Sequence, residues 1–236
     1  MREGGGTNQN CGAPARRAIG RLGDLNDGHP RVGPWLCISS AQYFIVQFLV
    51  ALRWSPPYSL SKDTISDLGN TACGKFNDRF VCSPLHAAMN VSFVTLGVTM
   101  VLGCALLHHA FSSTGSRLRT LGFSLVGVGG IGVIVVGVFP ENSVPAFHGI
   151  GAALPFVLGN IGVVLLGFSL SVPLAMRILT LFLGAVALLS LMFYASTHYL
   201  GLGEGGVERL VAYPQTVWLI LIGAFVLSKR WSHERR

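Results

Sequence analysis

Six long apolar segments constrain what this chain can fold into more than any other feature. They run roughly over residues 35–53, 85–107, 119–138, 147–170, 177–199 and 212–228. At 1.5 Å of rise per residue, a helix of about 20 residues crosses the ~30 Å hydrocarbon core of a bilayer. None of the segments alternates with the period of two residues that a membrane β-barrel requires. The sequence therefore predicts an all-α fold, a polytopic bundle of six transmembrane helices within residues 34–228.

The distribution of basic residues predicts how this bundle is oriented. With six spans, both ends of the chain lie on one side, and twelve of the 17 Lys and Arg residues fall on that side. Cytoplasmic loops carry the excess of positive charge in membrane proteins. We therefore expect a multi-pass protein of the cell membrane with both termini in the cytoplasm and membrane lipid as its partner. The same bias explains the net charge of +7, so no nucleic-acid partner is expected.

The two ends of the chain are predicted to lie outside the bundle. Residues 1–33 contain Gly, Asn, Asp and Arg but almost no apolar periodicity. Such a segment buries too little apolar surface to offset the entropy that ordering costs. We expect a disordered basic cytoplasmic tail there, and a second basic tail over residues 229–236.

The cysteines divide into two kinds by position. Cys73 and Cys82 fall in the first outer loop, with eight residues between them. On the oxidising side of a membrane such a pair favours a disulfide, and free thiols are the alternative. Cys37 and Cys104 lie within apolar segments and are expected to pack there as small apolar side chains.

Three further segments stand in order between the predicted helices. They are YSLSKDTISDLGN at residues 58–70, VGVFPENSVPAFHGIGAALPFVLGN at 136–160 and GGVERLVAYPQTVW at 205–218. Together they resemble the prokaryotic membrane proteins of domain-of-unknown-function family 998, over about residues 35–228. The resemblance implies a six-helix membrane bundle. It implies no particular activity, since that family is uncharacterised as a whole.

Several polar residues lie at the outer ends of the predicted helices, where one pocket can gather them. The candidates for catalytic roles are Asp67, Glu141 and His148. Glu141 and His148 are seven residues apart, and a carboxylate near an imidazole can orient it as a general base. The alternative is that this pair only ties the third helix to the fourth. For Asp67 the alternative is capping chemistry in the loop, as an N-cap or an Asx-turn.

Three further residues are candidates for ligand binding: Arg209, Glu208 and Asn160. The guanidinium of Arg209 suits a carboxylate or a phosphate head group, and the alternative is a salt bridge to Asp67 or Glu141. Asn160 lies within an apolar segment, where an interhelical hydrogen bond is the expected role. A metal site would need at least three ligands, and no spacing in the sequence demands them, so none is predicted.

These features leave three functions open. The first is a membrane enzyme that acts on a lipid or an isoprenoid-like hydrophobic small molecule in the outer-face pocket. The second is a non-catalytic accessory or binding protein, in which the polar residues only fix the loops. The third, a small transporter, is least favoured because few polar groups fall at the middle of the spans. The sequence has no Ser-His-Asp elbow, HExxH helix or P-loop, so it indicates neither a reaction nor a cofactor.

Overall fold

All six predicted spans are helices in the computed structural model, which describes residues 31–111 and 116–234, with side chains as far as residue 229. Each span is long and apolar enough to cross a membrane, so the predicted multi-pass six-helix bundle is confirmed. In chain order the helices are α1 (Val32–Ser39), α2 (Gln42–Ala51), α3 (His86–Phe111), α4 (Arg117–Val138), α5 (Pro145–Ala153), α6 (Asn160–Ser169), α7 (Leu174–Ala195) and α8 (Gly203–Glu234). The first span consists of α1 and α2, and the fourth consists of α5, a π-turn (Leu154–Gly159) and α6.

The helix of the sixth span, α8, begins about 2.5 turns before the apolar stretch from which that span was predicted. The sequence becomes apolar near residue 212, whereas α8 begins at Gly203. The added turns carry charged side chains, and the loop before α3 covers them, so apolar length does not reveal them. Glu208 and Arg209 consequently lie inside a helix and are buried there, with 3 % and 8 % exposure.

The structure covers only part of the two predicted tails. Residues 1–30 lie outside the described residues. α8 extends to Glu234, so most of the segment expected as a second tail is helical.

The π-turn in the fourth span coincides with Pro155. Proline has no N–H, and its ring clashes with the carbonyl one turn earlier, so an unbroken α-helix is disfavoured at this point. The chain widens into the π-turn, and α6 resumes at Asn160. Nδ2 of Asn160 donates to the carbonyl of Phe156 at 3.0 Å and to the carbonyl of Val211 in α8 at 3.1 Å. The interhelical hydrogen bond expected of Asn160 is therefore present.

α3 and α4 approach each other closely where two glycines meet. A Cβ placed on Gly97 would lie 2.4 Å from the carbonyl oxygen of Gly130. A Cβ on Gly130 would lie 2.8 Å from the carbonyl oxygen of Gly97. Only glycine permits this backbone contact, which is the usual role of small residues between membrane helices.

A folded loop over residues 54–85 closes one end of the bundle, which we call the loop end. Its centre is a 3₁₀ turn (Ser66–Gly69), and its hairpin pairs β1 (Gly74–Phe76) with β2 (Arg79–Val81) in antiparallel fashion. The predicted disulfide between Cys73 and Cys82 is present and joins the two ends of the hairpin. The loop also contributes buried apolar side chains to the core: Ile65, Leu68 and Val81.

Candidate active site at the loop end

A cavity of about 560 Å³, which we call the chamber, lies where the loop covers α5, α7 and α8. Side chains of α5 and the π-turn form one wall, and the 3₁₀ turn and the tip of the hairpin form another. The polar part of its lining consists of Thr64, Ser66, Asn77, Glu141, His148, Tyr194 and Glu208. Three of the residues predicted from the sequence, Glu141, His148 and Glu208, therefore share one cavity.

A second cavity of about 50 Å³, which we call the shaft, adjoins the chamber on the side of the bundle interior. Its lining is mainly apolar and includes Phe93, Met100 and Val133 from α3 and α4. Four residues border both cavities: Ser66, Ala152, Phe156 and Glu208. A wider space that contains the acid–base side chains at the loop end is thus followed by a narrow, less polar one between the helices.

His148 lies in the first turn of α5 and is 6 % exposed. Its Nδ1 is 2.9 Å from the carbonyl oxygen of Phe139, and its Nε2 is 2.9 Å from Oγ of Ser66. A carbonyl oxygen can only accept, so Nδ1 carries the proton of the neutral ring. Nε2 is then the basic nitrogen, and it faces the hydroxyl of Ser66. A backbone carbonyl orients this imidazole, where the sequence had suggested Glu141 for that task.

Glu141 lies in the turn between α4 and α5 and borders the chamber. Its Oε2 is buried and has no hydrogen-bond partner among the described residues. Burial, and then the carboxylates of Asp67 and Glu208, raise the pKa of Glu141 to about 8, against the opposing effect of Arg79. At neutral pH the side chain is therefore mainly a neutral carboxyl, which can donate a hydrogen bond or a proton.

Glu208 reaches the 3₁₀ turn from α8. Its Oε2 accepts a hydrogen bond from the backbone N–H of Ile65 at 2.5 Å, and its Oε1 is 3.4 Å from Oγ of Ser66. This carboxyl group was predicted to bind a ligand. In the structure it borders both cavities and also holds the backbone next to Ser66 in place.

Asp67 lies outside the chamber, in a cluster with Arg79 and Glu204 that we call the arginine latch. Nε of Arg79 donates to Oδ2 of Asp67, and Nη1 of Arg79 donates to Oε2 of Glu204, both at 2.7 Å. Oδ2 of Asp67 also accepts from the N–H of Thr64 at 2.8 Å, and the N–H of Asp67 donates to Oγ1 of Thr64 at 3.1 Å. These reciprocal bonds form a capping box in which Thr64 is the capping residue and Asp67 reaches back to it, so Asp67 takes part in capping but is neither the N-cap nor the Asx-turn residue suggested from the sequence.

Arg209 binds the backbone of the loop rather than a carboxylate. Its Nη2 donates to the hydroxyl of Tyr58. Its Nη1 donates to three carbonyl oxygens, those of Leu60 at 2.9 Å, Asp63 at 3.0 Å and Gly205 at 2.7 Å. The guanidinium is thereby used to anchor the loop on α8, and Arg209 is not among the described residues that border the chamber or the shaft.

Two residues of this region were missed by the sequence reasoning. Ser66 lies in the stretch ISDLG, which matches no nucleophile motif, and only its neighbour Asp67 drew attention. Arg79 could have been recognised from the sequence, because it lies between Cys73 and Cys82. A hairpin closed by a disulfide holds its side chains in fixed places. For Ser66 the signal is only in three dimensions, because its partner His148 is 82 residues away.

Within residues 31–111 and 116–234, no three His, Cys, Asp or Glu side chains come together as the ligands of a metal ion do. The carboxyl and imidazole groups of the chamber belong to Glu141, His148 and Glu208, a set suited to moving protons.

A family profile matches most of the chain. The family is described as "Protein of unknown function (DUF998)", and its profile matches residues 37–224. The match includes the whole loop end and every residue that borders the chamber. No curated protein and no solved structure matches the chain.

Proposed function

The chain belongs to the DUF998 family of proteins of unknown function, and we propose that it is a membrane-embedded enzyme acting on an amphipathic, lipid-like substrate. In this proposal the chamber is the active site, and His148 is its general base. The polar head of the substrate occupies the chamber, and its apolar part enters the shaft or lies between the helices.

One observation carries the proposal, namely the order of the two cavities. Seven of the fifteen residues that line the chamber are polar, against five of the fifteen that line the shaft, and the chamber holds His148 and Glu141 in addition to the shared Glu208. The two cavities share four bordering residues. An amphipathic molecule has the same order of polarity along its length. Concave sites with an apolar lining and a few convergent polar groups are where proteins bind small molecules.

The ionisable groups of the chamber supply both halves of acid–base catalysis. Nε2 of His148 is a base held in one orientation by the carbonyl of Phe139. Glu141 retains its proton at neutral pH, because burial raises its pKa to about 8. Two titratable groups with opposite protonation states in one cavity are the pattern of a general base and a general acid.

The proposal places the loop end on the outer side of the cell membrane and both termini in the cytoplasm. The excess of Lys and Arg at the opposite end supports this orientation. The disulfide between Cys73 and Cys82 supports it independently, because disulfides persist on the oxidising side of a membrane.

Conversion of native lipids tests the enzyme proposal directly. The purified protein is placed in nanodiscs made from the total membrane lipid of the source organism, and every lipid class is quantified over time by mass spectrometry. We expect one class to decrease while a product accumulates. His148→Ala should slow this conversion by about 100-fold or more, the usual contribution of a general base.

A matched pair of variants on α5 tests the location. Ala152 is half-buried and borders both cavities, whereas Ile150 on the same helix is 62 % exposed on the outer surface of the bundle. Ala152→Trp should fill the chamber and abolish conversion, and Ile150→Trp should leave the rate unchanged. If the wild type alters no lipid class, or if His148→Ala works at the wild-type rate, the enzyme proposal is wrong. An accessory role for the protein would then be the better interpretation.

A further inference from the structure

We propose that Ser66 is a nucleophile activated by His148, and that the substrate is a neutral carboxylic ester or thioester of a long acyl chain. This inference rests on the proposed function, because it assigns a reaction to the same chamber. It goes further in naming the attacking atom, Oγ of Ser66, and the bond that is broken.

The geometry at Ser66 is that of an activated hydroxyl. Oγ has one proton and two acceptors within reach, Nε2 of His148 at 2.9 Å and Oε1 of Glu208 at 3.4 Å. The shorter contact directs the proton to the imidazole, whose other nitrogen is held by the carbonyl of Phe139. A nucleophile within hydrogen-bond distance of a base that a third group orients is the recurring arrangement of covalent catalysis.

The backbone around Ser66 is fixed on both sides. The N–H of Ile65 is bound by Glu208, and the N–H of Asp67 is bound by Thr64. Arg79 in turn holds the carboxylate of Asp67 at 2.7 Å. The 3₁₀ turn is therefore tied to α8 and to the hairpin at once, and the hydroxyl is held at the chamber wall. Such fixation is what a catalytic group needs if its geometry is to persist.

The place of Ser66 indicates which bond it can attack. Ser66 borders both the chamber and the shaft, so it lies where the two cavities meet. In an acyl lipid, the carbonyl carbon of the ester lies at the junction between the polar head and the hydrocarbon chain. A lipid with its head in the chamber, the first carbons of its chain in the narrow shaft and the rest between the helices presents that carbon to Ser66.

The charge of the chamber indicates the kind of head group. None of the described residues that border it is Lys or Arg, and two of them, Glu141 and Glu208, carry carboxyl groups. Arg79 donates to the hydroxyl of Thr64 at the chamber wall, but two carboxylates already bind its guanidinium, and backbone carbonyls bind Arg209. A phosphate head group would find no unengaged Lys or Arg side chain among the described residues of the lining, so an uncharged head group is the better fit.

The reaction proceeds in two balanced steps. In the first, Oγ of Ser66 attacks the carbonyl carbon and its proton passes to Nε2 of His148. The bond from that carbon to the leaving oxygen or sulfur then breaks, and the leaving group takes the proton from Nε2. In the second, water attacks the acyl-serine and gives a proton to Nε2. The C–Oγ bond breaks, and Oγ takes that proton back, which releases a carboxylic acid and restores both residues.

The tetrahedral intermediate also needs a hydrogen-bond donor for its oxyanion. The carboxyl of Glu141 borders the same chamber, and its buried Oε2 has no partner among the described residues. We assign the donor role to this group.

Active-site labelling tests the nucleophile. The full-length protein in nanodiscs is treated with a long-chain alkyl fluorophosphonate, and the adduct is located by intact mass and peptide mapping. We expect one adduct per chain, on Ser66. Ser66→Ala should abolish it, and His148→Ala should slow its formation by about 100-fold or more. Ser143→Ala, which removes an exposed hydroxyl at the same end of the bundle, should leave labelling unchanged.

A second variant and a substrate pair complete the test. Ser66→Cys keeps a nucleophile, so it should trap a thioester adduct with an acyl substrate even if Ser66→Ala does not fold. A diacylglycerol should be cleaved at least tenfold faster than a phosphatidic acid with the same chains. If the wild type is not labelled, or if the label is on another residue, the assignment of Ser66 as the nucleophile is wrong.

The outcomes also separate this inference from the proposed function. Lipid conversion by Ser66→Ala at the wild-type rate would refute the nucleophile and leave the membrane enzyme standing. Labelling of Ser66 without conversion of any lipid would refute both the lipid ester and the proposed function. Faster cleavage of the phosphatidic acid would refute the neutral head group alone.

Discussion

Two groups of polar residues share the loop end and are used in opposite ways. In the arginine latch and around Arg209, each charged group meets an opposite charge or a set of backbone oxygens, although Oδ1 of Asp67 and Nε of Arg209 are themselves buried without a partner among the described residues. In the chamber, a carboxyl oxygen of Glu141 has no partner among the described residues, and the basic nitrogen of His148 faces a single hydroxyl. Burial does not distinguish the two groups of residues, since Asp67 in the latch and Glu208 in the chamber lining are both almost fully buried.

The difference shows which polar residues at a membrane surface hold the fold and which are available for chemistry. A buried polar group without a partner costs free energy, so its presence in a folded protein calls for an explanation such as function. Partners on the loop backbone indicate a structural role, as for Arg209. The chamber residues instead face space that a substrate can fill.

The largest effect on stability is expected at Arg209. Arg209→Met removes the donor from three carbonyl oxygens and releases the loop from α8. Since an unsatisfied buried acceptor costs about 1–3 kcal/mol, the loss should reach about 3 kcal/mol or more. Thermal unfolding in detergent measures it, with Glu141→Gln as the control from the chamber: Oε2 of Glu141 has no partner among the described residues, so this variant should lose no more than about 1 kcal/mol. Equal losses in the two variants would remove the distinction between the anchor and the chamber.

The disulfide should contribute the next largest effect. Its loop closes over a sequence separation of 9, for which chain entropy predicts about 2–3 kcal/mol of stabilisation. The double variant Cys73→Ser, Cys82→Ser should therefore unfold at a lower temperature than the wild type. A reductant should bring the wild type to the temperature of the variant and leave the variant unchanged. The hairpin carries Arg79 of the latch and Asn77 of the chamber wall, so lipid conversion should fall as well.

Glu141 should make the free energy of unfolding fall as the pH rises, because its carboxyl group is buried and its Oε2 has no partner among the described residues. Above its ordinary pKa of about 4.3, the unfolded chain releases this proton. The folded chain keeps it until about pH 8, so the folded state loses stability as the pH rises between these values. Glu141→Gln should be more stable than the wild type at pH 8.5 by on the order of 1 kcal/mol, allowing for partial solvation, and nearly equal at pH 4. A constant difference at all pH values would show that Glu141 is already paired.

The smallest effect is expected at Asn160, which lies away from both groups. Asn160→Leu removes one interhelical hydrogen bond, to the carbonyl of Val211, and one to the carbonyl of Phe156 within the same span. Interhelical hydrogen bonds of this kind contribute about 0.6 kcal/mol on average. Chemical unfolding in mixed detergent micelles measures the change. A loss as large as that of Arg209→Met would mean that the π-turn, and not the loop, is the main polar support of the bundle.

The sequence was sufficient for those features that depend on local composition. Six spans follow from apolar length, because no soluble core requires six such segments in succession. The disulfide follows from two cysteines close together in a polar loop. The hydrogen bond of Asn160 follows from the cost of an amide in an apolar helix.

From the sequence, the candidate site could be predicted only as a set of polar residues at one end of the bundle. Which of these residues contact one another could not be predicted. The partners of Arg209 are backbone oxygens, which every residue has, so no residue type marks them in the sequence. The contact between Ser66 and His148 depends on the path of a loop of about 30 residues, and local rules do not determine such a path. Glu208 was assigned to a loop because the first turns of α8 are polar and are covered by another part of the chain.

The π-turn has a consequence for how mutations of this chain should be read. A π-turn holds one residue more than an α-helical turn, so it sets the rotational phase between α5, which carries His148, and α6, which is fixed to α8 through Asn160. An α-helix advances by about 100° per residue, so a single residue inserted between His148 and the π-turn would rotate His148 away from Ser66, whereas a deletion within Leu154–Gly159 would close the π-turn to an α-helical turn and largely keep the phase. The proposed site is therefore encoded by a count of residues as well as by their identities, and a scan limited to substitutions would not detect that dependence.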